Sequence, residues 1–172
     1  MKLKLNKIAR DWLRKQGARA EGYKWACKNG ETLRDVAVTA RPDLALWVLF
    51  RPGVLTDREL WLIACHVAEI ALPKWYAWAP DDHRPRTAIE TRRRWLDGLA
   101  SDAELAAAGS SAWSAAWLTE ELAWSAVRVA ARSVAESSAQ SAAWLAAWSA
   151  EEADQVKWIL ENCSPVYVDD AR

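Results

Sequence analysis

Apolar residues recur at helical spacing along most of the chain, and the polar residues between them punctuate it into short units. Leu5, Ile8 and Trp12 stand at i, i+3 and i+7, with Leu13 beside them. Lys4, Lys7, Arg10, Arg14, Lys15 and Arg19 fill the other faces, so residues 3–26 read as one basic amphipathic helix. Gly17 and Gly22 weaken its second half, and Asn29-Gly30 closes it. Residues 31–40 follow as a short helix on Leu33, Val36, Ala37 and Ala40, broken at Arg41-Pro42. Asp43 can cap the apolar run 44–50. That run would also suit a buried strand, but no second strand is evident to pair with it, so a helix is expected.

Thr56 and Glu59 form a capping-box pattern that opens the best-defined helix of the chain. It runs on Leu60, Ile63, Ala64, Val67 and Ile70 and is expected to stop at Pro73. Residues 74–79 then read as a proline-bounded connector carrying Trp75, Tyr76 and Trp78. Asp82 or His83 stands near the next N-cap, with Pro85 in the first turn. The helix carries Ala88, Ile89, Trp95 and Leu96 to Gly98, a residue suited to a helix C-terminus.

Ser101 and Glu104 repeat the capping-box pattern, and residues 110–164 contain neither Gly nor Pro. As one helix that stretch would be roughly 80 Å long, too long for a domain of this size. It must fold back, and 119–121, 136–141 and 149–152 are the candidate interruptions. Ala-Trp-Ser-Ala occurs at 112–115, 123–126 and 147–150. Its small residues let helices approach while Trp fills the groove between them. A last helix on Val156, Trp158, Ile159 and Leu160 ends at Ser164-Pro165, leaving residues 165–172 as a tail. The expected fold is all-α, a single-domain helical bundle or array over residues 1–172 with an Ala/Trp-packed core. Its parts are a basic helix (1–28), a short-helix region (31–98), long Ala/Trp-rich helices (101–164) and the tail.

Composition sharpens this picture. The 172 residues are 52% hydrophobic with six Gly and six Pro, which excludes wholesale disorder and collagen-like chains. Thirteen Trp stand against one Phe. Each buried indole removes on the order of 150 to 250 Å² from water, so most are expected in the core and any surplus on a binding surface. The net charge is zero, but it is unevenly spread. Residues 1–98 hold 19 basic and 12 acidic side chains, and residues 99–172 hold 4 and 11, giving +7 and −7. The halves can attract within one fold or between copies in a homo-oligomer, or one pole can dock a partner. Three scattered Cys without a C-x-x-C suit a reducing compartment. The basic N-terminus lacks an apolar run, and the longest uncharged stretch, 105–119, is shorter than a membrane span. A soluble, cytoplasmic protein with no membrane partner is expected.

Candidate chemistry is sparse. The two His, His66 and His83, give no metal-ligand pattern, and no nucleophile elbow, P-loop, dinucleotide fingerprint or H-E-x-x-H occurs. No catalytic residue, metal or cofactor is therefore assigned. A nucleic-acid site would draw on Lys4, Lys7, Arg10, Arg14 and Lys15 with Arg92, Arg93 and Arg94, cations set beside aromatics. The plainer alternative makes Arg92–Arg94 the solvated face of their helix.

Three segments carry a family resemblance. They are Arg41-Pro-Asp with Arg51-Pro-Gly-Val-Leu-Thr-Asp-Arg-Glu-Leu and Ala64-Cys; Asp82-His-Arg-Pro-Arg-Thr-Ala-Ile-Glu with Trp95-Leu-Asp-Gly; and the Ala/Trp/Ser run over 104–150. Together they resemble the all-helical immunity proteins found near bacterial polymorphic toxins, and Trp/Ala-rich proteins of phages and prophages. The resemblance implies a non-enzymatic protein that occludes another protein, either a toxin or, for a phage-borne relative, a host defence effector such as a CRISPR nuclease. The basic residues 1–28 lie outside it. The expected partner-binding residues are Trp75, Tyr76 and Trp78 with the charged rim Asp81, Asp82, His83, Arg84 and Arg86, because Trp, Tyr and Arg dominate interface energies. The competing expectation folds Trp75 and Trp78 onto the core and leaves the charges to cap a helix.

Overall fold

In the computed structural model, residues 4–117 and 152–170 are described. They form α1 (Lys7–Lys15), α2 (Ala20–Asn29), α3 (Leu33–Thr39), α4 (Pro42–Leu49), α5 (Asp57–Trp78), α6 (Arg84–Leu96), α7 (Asp102–Trp117) and α8 (Glu152–Asn162). The all-α class expected from the sequence is the one observed, and no strand occurs among the described residues beyond an isolated bridge between Pro52 and Leu55. The candidate helix breaks at 119–121 and 136–141, and the Ala-Trp-Ser-Ala copies at 123–126 and 147–150, lie outside the described residues. Within the third candidate break, α8 begins at Glu152. The chain divides into two compact units.

The first unit comprises residues 4–56 and 152–170. Its N-terminal helix is not one but two, α1 and α2. Gly17 takes φ +75°, a conformation that suits glycine. The Gly17 N–H reaches Arg14 O at 3.0 Å and the Ala18 N–H reaches Leu13 O at 2.9 Å, the pairing that ends a helix. Asn6 caps α1 by accepting the Ala9 N–H at 2.9 Å. Helix α3 opens on a reciprocal box, with the Thr32 side chain on the Asp35 N–H and the Asp35 side chain on the Thr32 N–H. Helix α4 starts with Pro42 in its first turn, and its apolar run buries Ala45, Leu46, Val48 and Leu49 as helix rather than strand. The tail is docked, not loose. Its Val166 N–H donates to Val54 O at 2.9 Å, Tyr167 is 2% exposed, and Asp169 Oδ2 accepts from Asn6 Nδ2 at 2.6 Å and from the Leu33 N–H at 3.1 Å.

The described part of the second unit, residues 57–117, holds α5, α6 and α7. Helix α5 does not stop at Pro73 but runs 22 residues to Trp78. An interior proline costs about 3 kcal/mol. Burying one indole returns on the order of 4 to 6 kcal/mol, and only continued helix puts Leu72 and Trp75 on the core side together. The buried row Trp61, Cys65, Ala68, Leu72 and Trp75 alternates steps of four and three. It joins Ala88 and Ile89 of α6 with Ala112 and Ala115 of α7, alanines that allow close approach. Gly98, at φ +72°, ends α6, with its N–H on Trp95 O and the Leu99 N–H on Arg94 O. Ser101 and Glu104 form the expected reciprocal box at the start of α7.

The Trp-packed core is only partly observed. Among the nine Trp whose side chains are described, Trp61 and Trp75 are buried, Trp78 is exposed, and the other six are half-buried. Leu, Val, Ile and Ala fill the centre. Most described indoles sit at its margin, and indole N–H groups reach polar partners: Trp75 Nε1, from the core, donates to Asp82 O at 2.8 Å, and the half-buried Trp95 Nε1 to Asp102 at 2.7 Å.

Candidate functional site

The residues expected at a partner-binding surface all fall at the junction of α5 and α6, but they do not share one surface. Because α5 continues through Pro73, Trp75, Tyr76 and Trp78 lie on its last turns and not on a connector. Trp75 is 2% exposed, so the expectation that it contacts a partner is overturned: it is core, pinned through its indole N–H. Trp78 is 51% exposed and meets the Trp75 ring edge-on, with centroids 5.4 Å apart. At about 100° per residue, Tyr76 and Trp78 project from α5 about 160° apart. They flank opposite sides of the helix.

Tyr76 is the organising side chain of the α6 side. Arg86 Nε donates to its hydroxyl at 2.9 Å, with the guanidinium also 5.4 Å from the ring centroid, and His83 Nδ1 stands 3.4 Å from the same oxygen. The hydrogen bond to the Tyr76 hydroxyl raises the Arg86 guanidinium above its ordinary value. Asp82 and Arg84 turn inward to each other. Arg84 Nε and Nη2 reach the carboxylate at 2.9 and 2.7 Å, and Asp82 Oδ1 also takes the Arg84 N–H at 3.1 Å, which starts α6. The Arg84 hydrogen bonds hold the Asp82 carboxyl below the usual carboxylate range. These two charges build the helix start and are committed to each other. Asp81 is exposed.

Beside Tyr76 lies a cavity of about 290 Å³. Leu72 and Ile89 line it on the core side, Pro73 and Tyr76 line it on α5, and Glu69, Arg86 and Glu90 supply its charges. Ile70, read from the sequence as core, is 52% exposed. With Pro73 and Ala77, both also exposed, it forms the outward row of α5 at steps of three and four. The sequence reading missed this row because it took Pro73 as the helix end. Once the helix is continued, residues 70, 73 and 77 fall opposite the buried row.

The nucleic-acid candidates divide. Lys4, Lys7, Arg10, Arg14 and Lys15 are all exposed in the first unit. Arg92 is not on a solvated face: it is 6% exposed, with its guanidinium 3.7 Å from the Trp61 ring centroid and 5.4 Å from that of Trp95. It stands in the wall of a second cavity of about 660 Å³, whose described lining also includes Trp113 and the Ser110 and Ser114 hydroxyls. Arg93 grips Glu69 with two hydrogen bonds of 3.0 and 2.8 Å. Arg94 is exposed, donates to Leu99 O at 2.9 Å and lies 3.7 Å from Glu104. The expected site at Arg92–Arg94 is thus corrected: Arg92 is turned to the inside of the unit, and Arg93, half-buried, is committed to Glu69.

Burial pushes the Cys65 thiol up to about 12, so it carries no thiolate at neutral pH, and burial likewise lowers His66. Among the described residues no group of three or more His, Cys, Asp or Glu is placed to hold a metal, and no helix is long and apolar enough to cross a membrane. No protein-family model, no curated protein and no solved structure matches this chain.

Proposed function

We propose that this chain acts by binding a protein partner over the α5–α6 face, blocking that partner by occlusion and not by chemistry. The observation that carries the reading is the cavity beside Tyr76. It has an apolar floor of Leu72 and Ile89, a charged rim of Glu69, Arg86 and Glu90, and an exposed apolar row of Ile70, Pro73 and Ala77 alongside. A pocket that accepts one anchoring side chain, ringed by polar groups and set on rigid helices, is the arrangement in which interface energy concentrates. Tyr76 is pre-positioned by Arg86, which lowers the ordering cost of an interface. The likeness to immunity proteins supplies the class of partner: a toxin, or a host defence effector if the chain serves a phage.

The test is capture of a partner from host lysate with nuclease present, followed by affinity measurements on surface variants. Ile70→Asp and Arg86→Glu should each weaken a stoichiometric protein partner by tenfold or more, about 1.4 kcal/mol, with the melting temperature unchanged. Trp75→Ala is the contrasting control: it should cost about 3 to 5 kcal/mol of stability whatever the partner does. Affinity untouched by both surface substitutions overturns the proposed face.

A further inference from the structure

The cations of α1 and α2 are exposed, and nearly all of them face no carboxylate among the described residues. Residues 4–28 hold Lys4, Lys7, Arg10, Arg14, Lys15, Arg19, Lys24 and Lys28 against two acids, Asp11 and Glu21. All eight cations are exposed. Among the described residues Arg14 alone of these cations makes an ion pair, with Asp11 at a loose 3.6 Å, and Glu21 is turned to Arg41 at 3.3 Å. The second unit is different: its Arg58, Arg84, Arg93 and Arg94 each face a carboxylate. Unshared positive charge concentrated on one short pair of helices is what a polyanion recognises.

We propose that the α1–α2 surface is a docking site for the phosphate backbone of a nucleic-acid duplex, read without regard to sequence. This does not depend on the protein-binding face of the second unit. Lys7, Arg10 and Arg14 fall within about 60° of one another around α1, at axial steps of roughly 4.5 and 6 Å, so they form a row that flexible side chains can lay along a strand. Two of the three aromatic residues nearby are already engaged. Trp12 packs edge-on against Trp47 at 6.4 Å, and Tyr23 lies under the Arg14 guanidinium at 5.1 Å. Both are half-buried. Among the described residues α1 and α2 hold no fully exposed aromatic ring, and Trp25 of α2 is half-buried, so the surface offers mainly charge, which favours a duplex over a single strand. The same absence of an exposed aromatic centre disfavours an acidic protein, whose interface would need a desolvated anchor. An anionic membrane is a poor match too: the apolar side of α1, Leu5, Ala9 and Leu13, is buried in the protein and cannot insert.

The experiment uses the full chain and a labelled 25-base-pair DNA duplex of arbitrary sequence, followed by fluorescence anisotropy. With about five phosphate contacts, affinity should fall roughly 500-fold between 50 and 200 mM salt. Replacing Lys7, Arg10 and Arg14 together by Gln should reduce that dependence to roughly 12-fold, because three contacts are gone. The pair Lys24→Gln and Lys28→Gln, on the other helix, should lower the dependence independently, which guards against misfolding of the first variant. Two duplexes of unrelated sequence should bind alike. No binding at 50 mM salt, a salt dependence unchanged in both variants, or equal affinity for polyglutamate of matched charge overturns the proposal.

Discussion

Helices α1 and α6 look alike as sequences, since both set Lys or Arg beside a Trp-Leu pair, yet their cations have opposite fates. In α6, Arg92 stacks on Trp61 and Arg93 closes on Glu69, so positive charge works as an internal fastener between α5 and α6. In α1, Lys7, Arg10 and Lys15 project away from a face formed by Ala9 and Leu13 and make no ion pair among the described residues. A guanidinium can spread its flat face on an indole and bury its stem; an ammonium holds its water more tightly. The difference lies in position, not composition. Arg92 sits on the inner row of its helix and the cations of α1 do not.

The comparison breaks most visibly at Arg92. Arg92→Ala should cost about 2 kcal/mol, lowering the melting temperature by roughly 4 to 8 °C, because the stacked cation and its packed stem are both lost. Arg92→Lys should recover little, since an ammonium cannot stack; full recovery by Lys would show that charge alone matters there. Asp82 comes next. Its carboxyl is held below the ordinary range by Arg84, so its contribution is complete above about pH 4 and disappears as the pH falls further. Asp82→Asn should cost about 1 kcal/mol at pH 7 and flatten the acid limb of the stability curve below pH 4, which thermal melts from pH 7 to pH 2.5 would read. A variant with an unchanged acid limb would dissociate Asp82 from acid unfolding. The smallest effect belongs to α1: Arg10→Ala should stay within about 0.5 kcal/mol of the parent in a thermal melt. A loss comparable to that of Arg92 would mean that α1 too uses its cations as fasteners.

Much of this was legible in the chain. Gly98 ends α6 and the Ser101–Glu104 box opens α7 where local chemistry says they should, because caps are satisfied by residues three or four positions away. Pro73 was misleading. Its local cost is real, but Trp75 lies beyond it, and the burial of that indole is decided by α6, which no local rule includes. Arg92 was misread by residue type. Its place in the series Pro85, Ala88, Ile89, Arg92 follows the buried spacing faithfully, and the pattern was the better guide. The cavity beside Tyr76 could not be read at all, since it exists only where α5 and α6 face each other. The docking of Asp169 on Asn6 and Leu33 spans more than 130 residues of chain, beyond the reach of any spacing rule.

That last contact bears on how the protein is made. The first unit draws residues 4–56 and 152–170 together across the 95 residues of the second. On a ribosome adding about 5 to 20 residues per second, α1 to α4 emerge roughly 5 to 20 s before the segment that completes them. During that interval the faces that will receive Ile159 and Tyr167 stand open to water and to chaperones, while α5, α6 and α7 already have one another to pack against. A nascent chain halted once α7 had emerged would thus carry α5, α6 and α7 packed together behind an unfinished earlier part.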